Sequence, residues 1–388
     1  MNIKLISILD KVVILSIYVI FVLDFPLLVK GLFVLGLLLV FVIYITSEKH
    51  KFTMQISLYL LITFAMFSVL AFIGLIKYND FGIILKFIFP LLILFNIFVF
   101  NTLKDQYDMN RYAFHIYVAA VLVALKVIVL FVLVFNSLFM EYLPLFDSEK
   151  NQSTWIGFSS GTFRIFTGQA TVIPIGLLIS SYLYKKVPYK FLIISFFALF
   201  FTQTTVLWAS YLLVLLYIIH SNYKSIFKYF LLSAITIAIY VAFMMNYDLI
   251  ISIIDEKLLY SVPVKLQQFE IVYNVFETDM LFGGGLGFIY PNGAFTIEVV
   301  LLHILSTTGL VGFVFYNFML FYWPIVSIRY IQADKLLKVL LLSYFTVVFA
   351  SFSNPYLIGG TSGLFLIPII SARYTELKTI NTQKKYAT

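Results

Sequence analysis

The sequence predicts an all-α, polytopic membrane protein. Three observations carry that expectation: the scarcity of charge, the recurrence of apolar runs of spanning length, and a two-sided distribution of lysine and arginine. Of the 388 residues, 62% are hydrophobic and 11% charged, and the mean hydropathy is +1.02. A soluble domain is about a quarter charged, because its surface must face water. A chain this poor in charge cannot cover a globular surface, so its solvent is largely lipid.

A spanning helix needs roughly 20 apolar residues. Such runs recur at 11–29, 31–47, 53–76, 82–100, 113–136, 164–184, 189–202, 204–221, 226–246, 297–323, 336–353 and 357–372, which makes about 12 transmembrane helices. The seventh and eighth share one nearly continuous apolar stretch, 189–221. At about 1.5 Å per residue it is too long for one crossing of a core about 30 Å thick. The polar cluster Thr202-Gln203-Thr204-Thr205 is the natural place for a tight turn. The first run has no small-residue cleavage site and is expected to be a retained helix. Residues 1–388 thus read as a single transmembrane domain. No internal repeat is evident, and the halves share no loop pattern, unlike the duplicated architecture of many secondary transporters.

Alternate connections can be assigned to the two sides. One set holds eighteen basic residues: Lys4, Lys11, Lys49, Lys51, Lys104, Arg111, Lys185, Lys186, Lys190, Lys224, Lys228, Arg329, Lys335, Lys338, Arg373, Lys378, Lys384 and Lys385. The other holds five: Lys30, Lys77, Lys150, Lys257 and Lys265. Lysine and arginine mark the cytoplasmic side, so both termini are expected to be cytoplasmic. A miscounted helix in the middle would erase the asymmetry. The net charge of +8 then reflects cytoplasmic loops, and nucleic acid is not an expected partner. The absence of cysteine excludes a disulfide framework, thiol catalysis and Cys-based metal sites.

This assignment places two long polar connections outside. One is 137–163, with Glu141, Asp147, Glu149 and Trp155; the other is the large outer loop 247–296. Within the latter, 262–278 reads as a short amphipathic helix with Val264, Phe269, Val272 and Val275 as its apolar stripe. Long ordered loops are uncommon without a function, so these two form the expected active-site face.

Charge at membrane depth is expensive and faces a cavity or a partner. Lys86 and Asp24 lie near segment ends and can snorkel to the interface. Lys126 sits mid-segment with no escape, and must pair or line a wet cavity. Arg164 opens the sixth run between Gly161 and Gly168-Gln169, on the wrong side for an anchoring arginine. Its guanidinium suits bidentate recognition of a phosphate, and the glycines allow a bulky ligand close to the backbone. A further cluster runs from Lys265 through Phe282-Gly283-Gly284-Gly285-Leu286-Gly287 to Glu298, His303, Gly309 and Gly312. No Gly-Lys-Ser/Thr follows the glycines, so they do not form a P-loop; they fit a loop re-entering toward the membrane. Glu298 and His303 are about 140° apart on a helix, so both can border one cavity without sharing a face. His303 reads equally as a hydrogen-bonded core histidine.

The order Arg164, Lys265, Gly283–Gly287 and Glu298-to-Gly312 resembles the O-antigen polymerase and ligase superfamily, membrane glycosyltransferases that use polyprenyl-diphosphate-linked glycans. Arg164 matches an arginine that opens the helix after an outer loop, and Lys265 stands where a second basic residue, usually arginine, precedes the G-x-G segment. The ligase branch carries His-Asn about eleven residues before a Gly-Leu-x-Gly; here that place holds Glu298, as in polymerase-like members. Many relatives also have a Ser-Arg pair where this chain has Thr202 to Trp208.

The resemblance implies a GT-C-like membrane architecture in a bacterial cytoplasmic membrane. It implies a polymerase of surface or secreted polysaccharide, joining oligosaccharide repeat units carried on undecaprenyl diphosphate to a growing glycan chain. Membrane lipid and a chain-length regulator are the other partners it implies. Arg164 and Lys265 would bind the diphosphate leaving group. Glu298 would be the general base, with His303 the second choice or an orienting partner. Gly283, Gly284, Gly285, Gly287 and Gln169 would form the substrate loop, and Trp155, Phe158 and Tyr290 could stack on sugars. No cofactor is expected, because the activation energy resides in the lipid diphosphate. No metal is expected either, although Asp255, Glu256 and Asp279 leave a cation open. A ligase and a flippase for the same lipid-linked substrate are the competing expectations; a flippase should carry charge throughout a central cavity, including its cytoplasmic half.

Overall fold

The computed structural model describes residues 3–23, 38, 41–42, 46, 53–135, 154–159, 162–202, 204–222, 251, 255, 259, 262–291, 293, 297, 299–352 and 362–387. In chain order the helices are α1 (Ile3–Phe21), α2 (Met54–Ile76), α3 (Phe81–Ile88), α4 (Asn96–Leu103) and α5 (Met109–Phe135). Strands β1 (Thr154–Ser159) and β2 (Thr162–Thr167) follow. Then come α6 (Val172–Leu183), α7 (Tyr189–Thr202), α8 (Thr205–Asn222), α9 (Val262–Thr278), α10 (Val300–Ser327), α11 (Lys335–Ser351) and α12 (Ser362–Ala387). Helix falls on ten of the twelve apolar runs; 31–47 and 226–246 lie outside the described residues, save for helical residues 38, 41, 42 and 46. Among the described residues, five helical stretches are long and apolar enough to cross a membrane: Met54–Ile76, Phe81–Leu103, Met109–Phe135, Thr205–Asn222 and Val300–Tyr330. The helix expected at 262–278 within the second long connection is present. Of the expected apolar stripe, Val272 is buried and Val275 half-buried, whereas Val264 and Phe269 are exposed, so only the later part of the stripe is packed.

One element departs from the all-α expectation. Thr162-Phe-Arg-Ile-Phe-Thr167 alternates polar or charged with apolar residues and is rich in β-branched and aromatic side chains. That pattern suits a strand, and the segment pairs antiparallel with β1, Arg164 opposite Gly157. Arg164 is therefore on a strand and does not open a helix. The sixth run becomes helical only at Gly168, first as a 3₁₀ turn and then as α6.

Helices break where the backbone demands it. Pro90 lacks an amide hydrogen, and a 3₁₀ stretch, Phe89–Phe95, separates α3 from α4 there. Pro324 lies inside α10 and frees the carbonyl of Leu320, four residues before it. The buried Tyr344 hydroxyl of α11 donates to that oxygen at 2.8 Å. Beside it, Tyr59 of α2 donates to Met319 O at 2.6 Å. In a membrane interior such groups have no water to turn to, so protein donors must supply the bonds.

The 189–221 stretch folds as a helical hairpin. Tyr211 of α8 reaches Leu192 O of α7 at 3.3 Å, and Trp208 packs on Phe196 with centroids 5.3 Å apart. These pairs centre on the Thr202–Thr205 turn. Other contacts fix the running directions. α1 and α5 are parallel, with Asp10 bonded to Arg111 and Tyr112 and Val22 O bonded to Lys126. α5 and α6 are antiparallel, through Asn110 with Tyr182 and Lys126 with Gln169. α5 and α7 are parallel, through Tyr117 with Phe191 and Phe131 with Phe201. α2 and α10 are antiparallel, through Gln55 with Tyr322 and Phe67 with Phe315. The bundle thus has two ends. One, the termini end, gathers Asp10, Gln55, Arg111, Tyr182, Asp334, Arg373 and Lys378. The other, the glycine end, carries Lys77, Asn79, Asp279 and Gly283–Gly287.

Candidate active site

The glycine end is built around a break in α10. Gly309 adopts φ 62°, ψ −165°, a conformation open only to glycine. A Cβ there would lie 2.3 Å from the carbonyl of Leu281. The break removes the normal intrahelical partners of Leu310 and Val311, and their amides donate to Met280 O at 3.0 Å and Leu281 O at 3.1 Å. The carbonyl of Ser306 is freed in turn and accepts from Gly284 N at 2.7 Å. Thr307 and Thr308 satisfy the preceding carbonyls, each at 2.7 Å, on His303 and Ile304. The Phe282–Gly287 segment and the broken helix are therefore interlocked backbone to backbone.

The α2–α3 connection holds the segment from its other side. The Asn79 side-chain amide donates to Gly284 O at 2.9 Å and Leu286 O at 3.0 Å. Lys77 pairs with Asp279 at 2.6 Å and also donates to Gly283 O. The Lys77 ammonium, by its hydrogen bond, holds the Asp279 carboxyl below the usual carboxylate range. Asp279 also caps the turn, accepting from Phe282 N at 3.0 Å.

Between the loop and α10 lies a closed polar group. His303, in the first turn of α10, is buried, with Nδ1 3.0 Å from the Tyr290 hydroxyl. That hydroxyl is 2.5 Å from Ser306 Oγ, which donates to His303 O at 3.0 Å. Phe87 lies over the imidazole with centroids 4.9 Å apart. His303 Nε2 is buried and has no hydrogen-bond partner among the described residues. Burial raises the Tyr290 phenol pKa, with its bond to Ser306 acting against the shift.

The expected site residues distribute as follows. His303 and Gly283, Gly284, Gly285 and Gly287 come together, but the glycines meet protein rather than open space. A Cβ on Gly283 would lie 2.3 Å from Ser306 O, one on Gly285 2.8 Å from Asn79 Nδ2, and one on Gly287 2.6 Å from Ile84. Gln169 is buried away from any opening: its Oε1 accepts from Lys126 at 3.2 Å and Thr167 at 2.5 Å, and its amide donates to Leu23 O at 3.3 Å. Lys126 thus has its partners, and its charge sits at the C-terminal end of α1, bonded to Val22 O at 3.0 Å. Tyr290 is fully buried and does not present a face to a sugar. Arg164 lies on the hairpin, which packs against α5 and α7, while Lys265 lies on α9, which packs against α10. Glu298 is outside the described residues, as are Glu256 and the side chains of Trp155 and Phe158. Among the described residues no cluster of three acidic or histidine side chains could hold a metal ion.

Lys77, Asn79 and Ser306 were not singled out by the sequence. The Ser306-Thr-Thr-Gly309 run, polar inside an apolar segment, was the available signal for the break. Nothing in the sequence pointed to Lys77, whose partner is 202 residues away.

No model of a known protein family matches the chain, and no curated protein matches its sequence.

Proposed function

We propose that the protein is a membrane polysaccharide polymerase. In this reading it joins undecaprenyl-diphosphate-linked oligosaccharide repeat units at the outer face of a bacterial cytoplasmic membrane. We also infer twelve crossings with both termini inside. The directions of the α1–α5, α5–α6, α5–α7 and α2–α10 pairs fit that count, as does the grouping of α1 and α12 residues at one end.

The observation that carries the reading is the buried, unpartnered His303 Nε2 beside a broken membrane helix at the glycine end. A buried polar atom without a partner is uncommon and calls for a role. Transfer of a glycan from a lipid diphosphate to a sugar hydroxyl needs a base at the attacking oxygen and cations at the leaving diphosphate. His303 and Glu298, five residues apart, are the base candidates. Arg164 and Lys265 remain the cation candidates, and the nearby Lys77 ammonium joins them. No cofactor is required, because the diphosphate is the activated group.

A transporter of the same lipid-linked substrate is the second reading. The broken α10 favours it, since discontinuous helices often hold transported ligands. Against it, the backbone groups freed at this break are bonded to Met280, Leu281 and Gly284 and are not offered to a ligand.

The test is the product pattern from protein in nanodiscs given a lipid-diphosphate-linked repeat unit. Wild type should give a ladder of lengthened lipid-linked glycans, absent in Arg164→Ala and Glu298→Gln. Movement of labelled substrate between leaflets without a ladder would replace the polymerase by the transporter.

A further inference from the structure

The hydrogen bonds around His303 have a direction. The carbonyl of His303 can only accept, so the Ser306 hydroxyl spends its proton there, at 3.0 Å. Ser306 Oγ must then accept from Tyr290, 2.5 Å away. With its own proton used, the Tyr290 oxygen accepts from the ring, and His303 Nδ1, at 3.0 Å, carries the hydrogen. Every proton in this chain has an acceptor. The opposite direction would put hydrogen on Nε2, a buried nitrogen with no acceptor. Buried donors without acceptors are the rarer and costlier defect.

We propose that Tyr290 and Ser306 are positioning residues that hold His303 as the Nδ1–H tautomer, leaving Nε2 as the proton acceptor for the attacking sugar hydroxyl. This rests on the glycan-transfer reading for its chemistry but not for its tautomer. In the step itself the O–H bond of the acceptor sugar breaks and its proton passes to Nε2. The oxygen forms the new glycosidic bond to the anomeric carbon. The bond from that carbon to the diphosphate breaks, and its electron pair leaves on undecaprenyl diphosphate. The imidazolium, stabilised through Nδ1–H and Tyr290, returns its proton to the released diphosphate or to water. Nε2 is closed off from solvent in the structure, so the acceptor reaches it only when the covering side chains part. The arrangement also explains why a tyrosine, rather than a phenylalanine, occupies the small buried cluster with Val272 and Ile297.

The experiment uses the full-length protein with ¹⁵N-labelled histidine, comparing wild type, Tyr290→Phe and Ser306→Ala. The chain has four histidines, so His303→Gln assigns the signal. Wild-type His303 should carry hydrogen on Nδ1, and Tyr290→Phe should move it to Nε2. In the transfer assay Tyr290→Phe should lower kcat about tenfold or more with KM little changed. Hydrogen on Nε2 in wild type overturns the proposal whether or not Tyr290→Phe and Ser306→Ala fold. Normal kcat in a Tyr290→Phe protein whose tautomer has moved overturns the role of Nε2 as base, while glycan transfer stands. A wild type that has the Nδ1–H tautomer but makes no ladder overturns the base role together with the transfer reading, and leaves only the tautomer assignment.

Discussion

Gly309 and Gly283 show how single residues set the geometry of the glycine end. Both have positive φ and both face backbone atoms that cannot step aside. Gly309→Ala should cost about 3 kcal/mol or more, from forbidden φ/ψ plus collision with Leu281. Gly293→Ala, also at positive φ but with nothing within 4 Å, should cost about 1 kcal/mol. Thermal unfolding in detergent, followed by tryptophan fluorescence, separates the two. Asp279 supplies a pH test. Its carboxyl is held below the ordinary value of 3.8 by Lys77, so the stability it adds is fully present above that value. It is lost as pH falls through the lower, folded-state pKa. Both partners are about a third exposed, which limits the pair to about 1 kcal/mol or less. The stability gap between wild type and Asp279→Asn should therefore be constant from pH 7 to about 4.5 and shrink as pH falls below 3.8. These residues mark the boundary of what the sequence makes legible. Glycine density at 283–287 is visible in the sequence, but the backbone packing that requires it is not. Four glycines look like room for a ligand until one sees Ser306, Asn79 and Ile84 against them. His303 was visible as a residue, whereas its two hydrogen-bond partners required knowing that Tyr290 turns inward.

Helices are the most legible elements, because an apolar run in a membrane has few other options for its backbone. The hairpin at Thr202–Thr205 was readable from length alone. The β1–β2 hairpin was not, since its apolar residues blended into the sixth run and hid a two-residue period. The break in α10 was likewise hidden, because hydropathy is averaged over a window and one glycine barely changes it. The Pro324 site gives a prediction at this scale. Tyr344→Phe should leave Leu320 O without its donor and cost about 1–3 kcal/mol. Pro324→Ala restores an amide four residues beyond Leu320. In that background the Tyr344→Phe change should be close to neutral, with a coupling energy that a double-mutant cycle in the same unfolding assay reads directly. Equal cost in both backgrounds would mean that the tyrosine acts by packing rather than by replacing the missing bond.

For the molecule as a whole, sidedness came from counting lysines and arginines, and helix directions came from contacts. The two are independent. Each contact pair that fixes a direction agrees with the alternation, although the alternation was derived without knowing any neighbour. The chain has no cysteine, so single introduced thiols report without background. Thr278→Cys, exposed at the end of α9, should react with a membrane-impermeant maleimide in intact cells. Thr382→Cys, exposed near the end of α12, should react only after permeabilisation. Labelling of both from outside would require an even number of crossings between them, where the twelve-span count has three, and would overturn that count. Which candidates share a neighbourhood is not legible from sequence order: α9, with Lys265, packs against α10, with His303, whereas Arg164 lies on the β1–β2 hairpin against α5 and α7.

The interlock at Gly309 also imposes an order on biogenesis. The carbonyls of Met280 and Leu281 leave the ribosome before the amides of Leu310 and Val311 that need them. The second half of α10 is therefore made when the chain that carries its docking partners has already been synthesised. The bend in α10 and the seating of the loop therefore complete each other: the freed amides and carbonyls of one are the partners of the other.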